Sequence, residues 1–285
     1  MSAPSVIFDK ALLEARRQRA RALGAETFLL DRVAADLGER LSAVLRRFER
    51  AADIGTPGDA VRRALLASGK VAAVEAVPFH DEVLPTPAGT LDLAVSALAL
   101  QFVNDLPGAL IQIRRALKPD GLLLAALLGG DTLTELRQSF AAAESEIEGG
   151  ISPRVAPLAD IRDIGALLQR AGFALPVVDS ERINVRYDTV FALMHDLRRM
   201  GATNVLTERR RQPLKRATLL RMAEIYRERF ADADGRLRAT FEVIWLSGWA
   251  PHESQQQPLK PGSARTRLAD ALGAREISAG EKAGD

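Results

Sequence analysis

The sequence predicts an α/β fold in which a mainly parallel sheet is layered between helices. Short apolar runs of strand length alternate with segments of helical period, and turn-forming residues stand at the junctions. Strands that alternate with helices, with no internal repeat, argue for crossover connections and parallel pairing.

Residues 8–23 and 27–49 have helical spacing; in the second, Phe28, Leu29, Val33, Leu37, Leu41, Val44, Leu45 and Phe48 recur at three and four positions. The period then changes. "RAADIG" closes a short strand, and "PGDAVRRALLAS" reads as a helix stopped by Gly69. Thr56 can cap that helix, Pro57 suits its first position, and Asp59 favours the positive end of its dipole. "KVAAVEAV" (70–77) is apolar enough for a strand buried on both faces, and "LDLAVSALAL" (91–100) is a third strand. A helix over 105–117 leads to the turn "KPDG", with Pro119 second and Gly121 last, and then to the buried strand "GLLLAALLG" (121–129). Further helices are expected over about 132–148, 158–173, 189–201 and 215–230. Residues 174–187 make one strand or two with a bend, and 237–250 the last strand. This gives an N-terminal helical segment (1–50), a domain over 51–250, and a C-terminal loop and tail (251–285), loose after about residue 260.

Composition excludes several function classes. The 285 residues contain no cysteine, which removes disulfides, thiolate zinc sites and cysteine nucleophiles. Three scattered histidines (His80, His195, His252) give no metal-ligand spacing. A net charge of +2 does not mark a nucleic-acid binder. No apolar run approaches the roughly 20 residues of a membrane span, and the N-terminus lacks a secretory core. "KALLEARRQRARAL" is basic and amphipathic, but Asp9 and Glu14 argue against a transit peptide, so the expected location is cytoplasmic. The stretch "ERRRQPLKR" (208–216) is a solvated face or a docking patch for an acidic protein partner or carrier protein. Trp245, Trp249, Tyr187 and Tyr226 are expected in core or lid packing.

Several motifs run in one order along nearly the whole chain: "IFD" (7–9), "LDLAVSALALQFVNDLPGALIQIRRALKPDG" (91–121), "GGDTLTELR" (129–137), "EGGISPR" (148–154), "MHDLRRMGATN" (194–204) and "GWAPHESQ" (248–255). Together they resemble the class I S-adenosylmethionine-dependent methyltransferases of type 11. The branch is the one containing mitochondrial complex I assembly factor 5, with the malonyl-carrier-protein O-methyltransferases as more distant cousins. The resemblance implies a Rossmann-like sheet with its ligand across the carboxyl ends of the strands, over residues 51–250. It also implies a location in the mitochondrial matrix if the source is eukaryotic. By that likeness Asp53, Gly55, Thr56 and Gly58 would form the cofactor turn. Glu75, about 22 residues beyond Asp53, would hold the ribose, with His80 and Asp81 near adenine and Ser96, Ala97 and Leu98 on the floor. Gln101 and Phe102, with Asp131 and Arg137, would face the substrate; from the residues alone Asp131 and Thr132 read first as caps of the next helix. His252 and Glu253 form a polar loop for which the resemblance implies a structural or gating role.

Three departures from the family pattern stand out. The family turn D-x-G-x-G-x-G reads Asp53-Ile54-Gly55-Thr56-Pro57-Gly58-Asp59 here, so proline and a carboxylate replace two glycines whose N–H groups and small size admit the ligand. The stretch after Glu75 is too short for the family's next helix and strand, so the sheet is expected to lack its edge third strand. The family's "LHW" is Leu100-Gln101-Phe102. Two functions follow. One is S-adenosylmethionine-dependent methyl transfer to a protein, carrier-bound or small-molecule acceptor, which needs orientation more than an acid or base. The other is a non-catalytic or hydroxylase-type assembly factor for respiratory complex I with a degenerate cofactor site, its partner a complex I subunit.

Overall fold

The computed structural model describes residues 6–256 and Gly273. Strands β1 (Phe48–Ile54), β2 (Val71–Val77), β3 (Leu91–Ala97) and β4 (Leu117–Leu128) pair in parallel, and β6 (Leu237–Trp249) lies antiparallel between β4 and β5 (Ala174–Tyr187). The sheet order is β2-β1-β3-β4-β6-β5. As expected, β2 is an edge: residues 78–90 form no further strand, and Phe79 and Leu84 fold back into the core beside Ile54 and Val77.

Helices cover both faces because their apolar stripes need a partner surface. On one face α4 (Leu106–Ala116) and α6 (Ile161–Arg170) bury Leu110, Ile113, Ile164 and Leu168 against the sheet. On the other, α2 (Phe28–Ser42) and α3 (Ala60–Ala67) bury Val33, Leu37, Leu41, Val61 and Leu65. A third cluster joins α5 (Thr134–Glu148), α7 (Val190–Arg199) and α8 (Arg216–Phe230) to β6 through Phe140, Leu193, Tyr226 and Phe241. The first helix, α1 (Lys10–Ala22), packs Leu13 against Val205 and Leu206, and Phe8 pairs with Leu206 in an antiparallel bridge. Met1–Pro251 form one compact unit and His252–Asp285 another. Apart from Gly273, the expectation of a loose tail beyond residue 260 lies outside the described residues.

Four local expectations change. Helix α2 ends at Ser42, leaving Leu45 97% exposed, and Phe48 instead opens β1 by donating its N–H to Lys70 O at 2.8 Å. Strand β2 is not buried on both faces: Ala72, Ala73, Glu75 and Ala76 are exposed, since an edge strand of alanines needs less cover than its hydropathy suggests. The "KPDG" segment is an excursion within β4. Leu91 pairs with Leu117 and Leu93 with Leu122, so residues 118–121 bulge outward, with Asp120 at a φ of 61°. Finally, α3 starts at Ala60, and Thr56 does not cap it; its hydroxyl turns inward and accepts the Ala97 N–H at 2.9 Å. The tyrosines and Trp245 are buried in the core, and the Tyr226 hydroxyl donates to Arg238 O at 2.8 Å.

Candidate functional site

The turn after β1 is held from several sides. Gly55 has a φ of 70°, a left-handed conformation that glycine adopts freely, and donates its N–H to Val77 O at 2.9 Å. Ser96 is buried and donates its hydroxyl to Ile54 O at 2.8 Å, tying β3 to the start of the turn. Asp53 is buried with Oδ1 lacking any hydrogen-bond partner. Burial pushes its carboxyl up to about 6, against the pull of the Thr56 hydroxyl and Arg62. A Cβ added at Gly55 would meet the Cβ atoms of Ala99 and Phe79, each at 3.4 Å. A methyl group there would make only ordinary van der Waals contact, so Phe79 and Ala99 border Gly55 without covering it.

The residues assigned to the nucleoside end do not converge. Glu75 stands two residues short of the end of β2, exposed, with its carboxylate 3.2 Å from Arg50. His80 is 62% exposed and 3.9 Å from Glu14, and Asp81 is exposed. S-adenosylmethionine, the cofactor implied by the resemblance, does not fit this end. Pro57 offers no N–H, and the acid expected at the ribose is turned to Arg50 on the sheet edge.

Beyond the ends of β3 and β4 lies a cavity of about 310 Å³, within the range of small-ligand pockets. Pro57, Leu98, Gln101 and Phe102 reach it from the predicted site; Asp53, Glu75, His80, Asp81, Asp131 and Arg137 do not line it. Most of its wall was not singled out from the sequence. Arg17 of α1, Leu29 and Leu30 of α2, Leu136 and Phe140 of α5, Met194 and Leu197 of α7, and the segment 200–205 surround it. The signal was present in "MHDLRRMGATN", whose residues supply much of this wall. Leu98 and Leu133, with φ of 50° and 55°, both line the cavity in a conformation that costs a leucine about 1–2 kcal/mol. Such strain persists where surrounding structure enforces it, as at ligand-binding walls. Gln101 is buried, donates to Leu98 O at 2.8 Å and leaves Oε1 without a partner.

Other predicted residues have local partners. Asp131 pairs with Arg182 across the surface, while Arg137 donates to Gly130 O at 2.9 Å and Thr132 O at 3.2 Å, fixing the entry to α5. Thr132 and Glu242 lock the same turn to β6. The basic stretch 208–216 is largely engaged within the protein. Arg209 lies 3.3 Å from Asp9, and Arg210 and Lys215 lie 2.6 and 3.2 Å from Glu148. Arg210 and Thr218, with Lys215, hold the Glu148 carboxyl down at about 2. As a docking patch for an acidic partner it is thus reduced, because internal carboxylates already take three of its cations. In the second unit His252 Nδ1 sits 2.7 Å from Ser254 Oγ, a local turn contact. Among the described residues no group of three His, Asp or Glu side chains could hold a metal ion, and no helix is long and apolar enough to cross a membrane.

The profile described as "Methyltransferase domain" matches residues 34–125. The zebrafish (Danio rerio) protein named arginine-hydroxylase NDUFAF5, mitochondrial, is 35% identical over 286 residues, covering 93% of this chain and 89% of that protein. The human protein of the same name is 47% identical over 184 residues, 65% of this chain and 53% of its own length. A malonyl-[acyl-carrier protein] O-methyltransferase of Laribacter hongkongensis is 42% identical over 181 residues, 64% of this chain and 58% of that protein. Among solved structures, a candidate methyltransferase from Bacillus halodurans aligns with a TM-score of 0.51 at 16% identity, covering 77% of this chain and 99% of the other, and shares the fold.

Proposed function

The chain belongs to the class I methyltransferase-like family that includes the NDUFAF5 arginine-hydroxylases, and from that premise we propose that it acts as a ligand-binding, assembly-factor-type member working through its apolar cavity, not through S-adenosylmethionine-dependent methyl transfer. The observation that carries this reading is Glu75, the acid expected at the ribose, which stands exposed with its carboxylate 3.2 Å from Arg50. The same fold keeps a cavity of about 310 Å³ a few residues further along the strand ends. Respiratory complex I is the assembly that the family resemblance suggests, with a complex I subunit as partner. The relatives named as arginine-hydroxylases point to a guanidinium substrate. No Asp or Glu lines this cavity to receive one, so arginine hydroxylation is not the reading that the geometry favours.

Methyl transfer is the second reading, favoured by one observation. Asp53 Oδ1 and Gln101 Oε1 are buried acceptors with no donor, and such groups call for an explanation. Calorimetric titration with S-adenosylmethionine and S-adenosylhomocysteine separates the two. The proposal expects no heat at millimolar ligand; saturable binding at micromolar ligand would overturn it in favour of methyl transfer.

A further inference from the structure

The charge on the cavity wall is one-sided. Its ionisable side chains are Arg17, Arg154 and Arg198, and the rest of the wall is mostly apolar. Arg154 is neutralised: its guanidinium lies 2.5 Å from Glu144, a buried carboxylate that also accepts from Ser152, and stacks 5.4 Å from the Phe140 ring. Arg17 is not neutralised. Among the described residues no carboxylate lies within ion-pair distance of it; Glu14, which acts on it through space, is engaged by Arg21 at 2.9 Å, and its guanidinium sits 5.9 Å from the Phe102 ring. Burial lowers the pKa of Arg17 by more than Glu14 raises it. Arg198, exposed on α7, adds positive potential from solvent, where screening weakens it.

Arg17 is also held in place by backbone. Gly201, in "MGATN", has a φ of 70°, and a Cβ there would come 3.2 Å from the Arg17 Cα. The loop after α7 therefore presses directly on α1 at the residue that supplies the cation. Sequence reading noted "MGATN" without a role for it; this close approach supplies one.

We propose that the cavity binds an apolar carboxylate, its apolar part against Leu29, Leu136, Phe140 and Met194 and its carboxylate on the Arg17 guanidinium. This deepens the reading above by naming the ligand class of the same cavity. Apolar burial would drive binding and the charge-assisted hydrogen bond would set polarity. A cation would meet like charge with no acid to offset it.

The test is calorimetric titration of the full chain with decanoate, decanamide and decyltrimethylammonium, repeated on Arg17→Met, which keeps the apolar stem. Hydrogen bonds to charged groups contribute about 1.5–3 kcal/mol, so decanoate should bind at least about tenfold more tightly than decanamide. Arg17→Met should remove that preference, weakening decanoate about tenfold while decanamide affinity stays the same. The unchanged decanamide affinity reports that the variant is folded and its cavity intact. Equal affinity for decanoate and decanamide, tighter binding of the cation, decanoate binding unaltered by Arg17→Met, or no binding of any probe would each overturn the proposal. The S-adenosylmethionine titration is independent of these arms, so failure of the carboxylate proposal and failure of the cofactor reading are distinguishable.

Discussion

The ends of β1 and β2 and the ends of β3 and β4 belong to one parallel sheet, yet they differ in what lies beyond them. Past β1 and β2, Phe79 and Leu84 join the core and Glu75 pairs with Arg50 on the sheet edge. Past β3 and β4, α1, α2, α5 and α7 stand around a cavity of about 310 Å³. The difference shows that the contacts that build a fold and those that hold a ligand are separable. Ser96 on Ile54 and Ala97 on Thr56 keep the turn in place through contacts within the protein alone.

The largest expected effect probes the cavity side. Glu144→Ala leaves Arg154 without its buried partner and should cost about 3–5 kcal/mol, read by urea denaturation. Burial opposes ionisation of Glu144, but Ser152 and Arg154 outweigh it and hold the carboxyl below its ordinary value. Its contribution is therefore present above the ordinary carboxylate pKa and is lost as pH falls through the lowered folded value. A wild-type stability unchanged between neutral pH and pH about 3 would break this part of the picture.

On the turn side, Phe79→Ala should cost about 3 kcal/mol through loss of buried aromatic surface. Combined with Pro57→Gly and Asp59→Gly it should raise S-adenosylmethionine affinity, measured by calorimetry. If affinity does not rise, Phe79, Pro57 and Asp59 are not what separates the two ends. A smaller change of opposite sign is expected from Asp53→Asn. The folded-state rise from 3.8 to about 6 means that the ionised carboxylate costs stability at neutral pH. At about 1.4 kcal/mol per unit, removing the charge should stabilise the protein by up to about 3 kcal/mol above pH 6. The gain should vanish as pH falls toward 3.8, where Asp53 is protonated folded or unfolded. Thermal melts of the two proteins from pH 4 to 8 measure it. The smallest effect belongs to Glu75→Ala. Its pair with Arg50 is solvent-exposed, so stability should change by less than about 0.5 kcal/mol, and decanoate binding should not change.

Much of the fold was legible because period and turn chemistry agree locally, and every strand and helix expected from the sequence is present. The errors fell where composition is ambiguous. Leu45 continues a helical period that no neighbour buries, and the alanines of β2 read as core while lying on an edge. At the site, Pro57, Leu98, Gln101 and Phe102 were visible because they sit at the strand ends where such folds bind ligands. Arg17, Phe140 and Gly201 were not visible as a wall, since they are brought together by helix packing across most of the chain. The burial of Phe79 beside Ile54 was hidden for the same reason: it depends on how the short segment after β2 returns to the core.

A turn that no longer holds the cofactor beside an open cavity is tested most directly by following backbone amide shifts in isotope-labelled protein during two titrations. Decanoate should move the Leu98, Gln101 and Gly201 signals, while S-adenosylmethionine should move neither these nor Gly55 and Gly58 at millimolar concentration. Saturable shifts at Gly55 and Gly58 with micromolar S-adenosylmethionine would contradict the separation of the two ends.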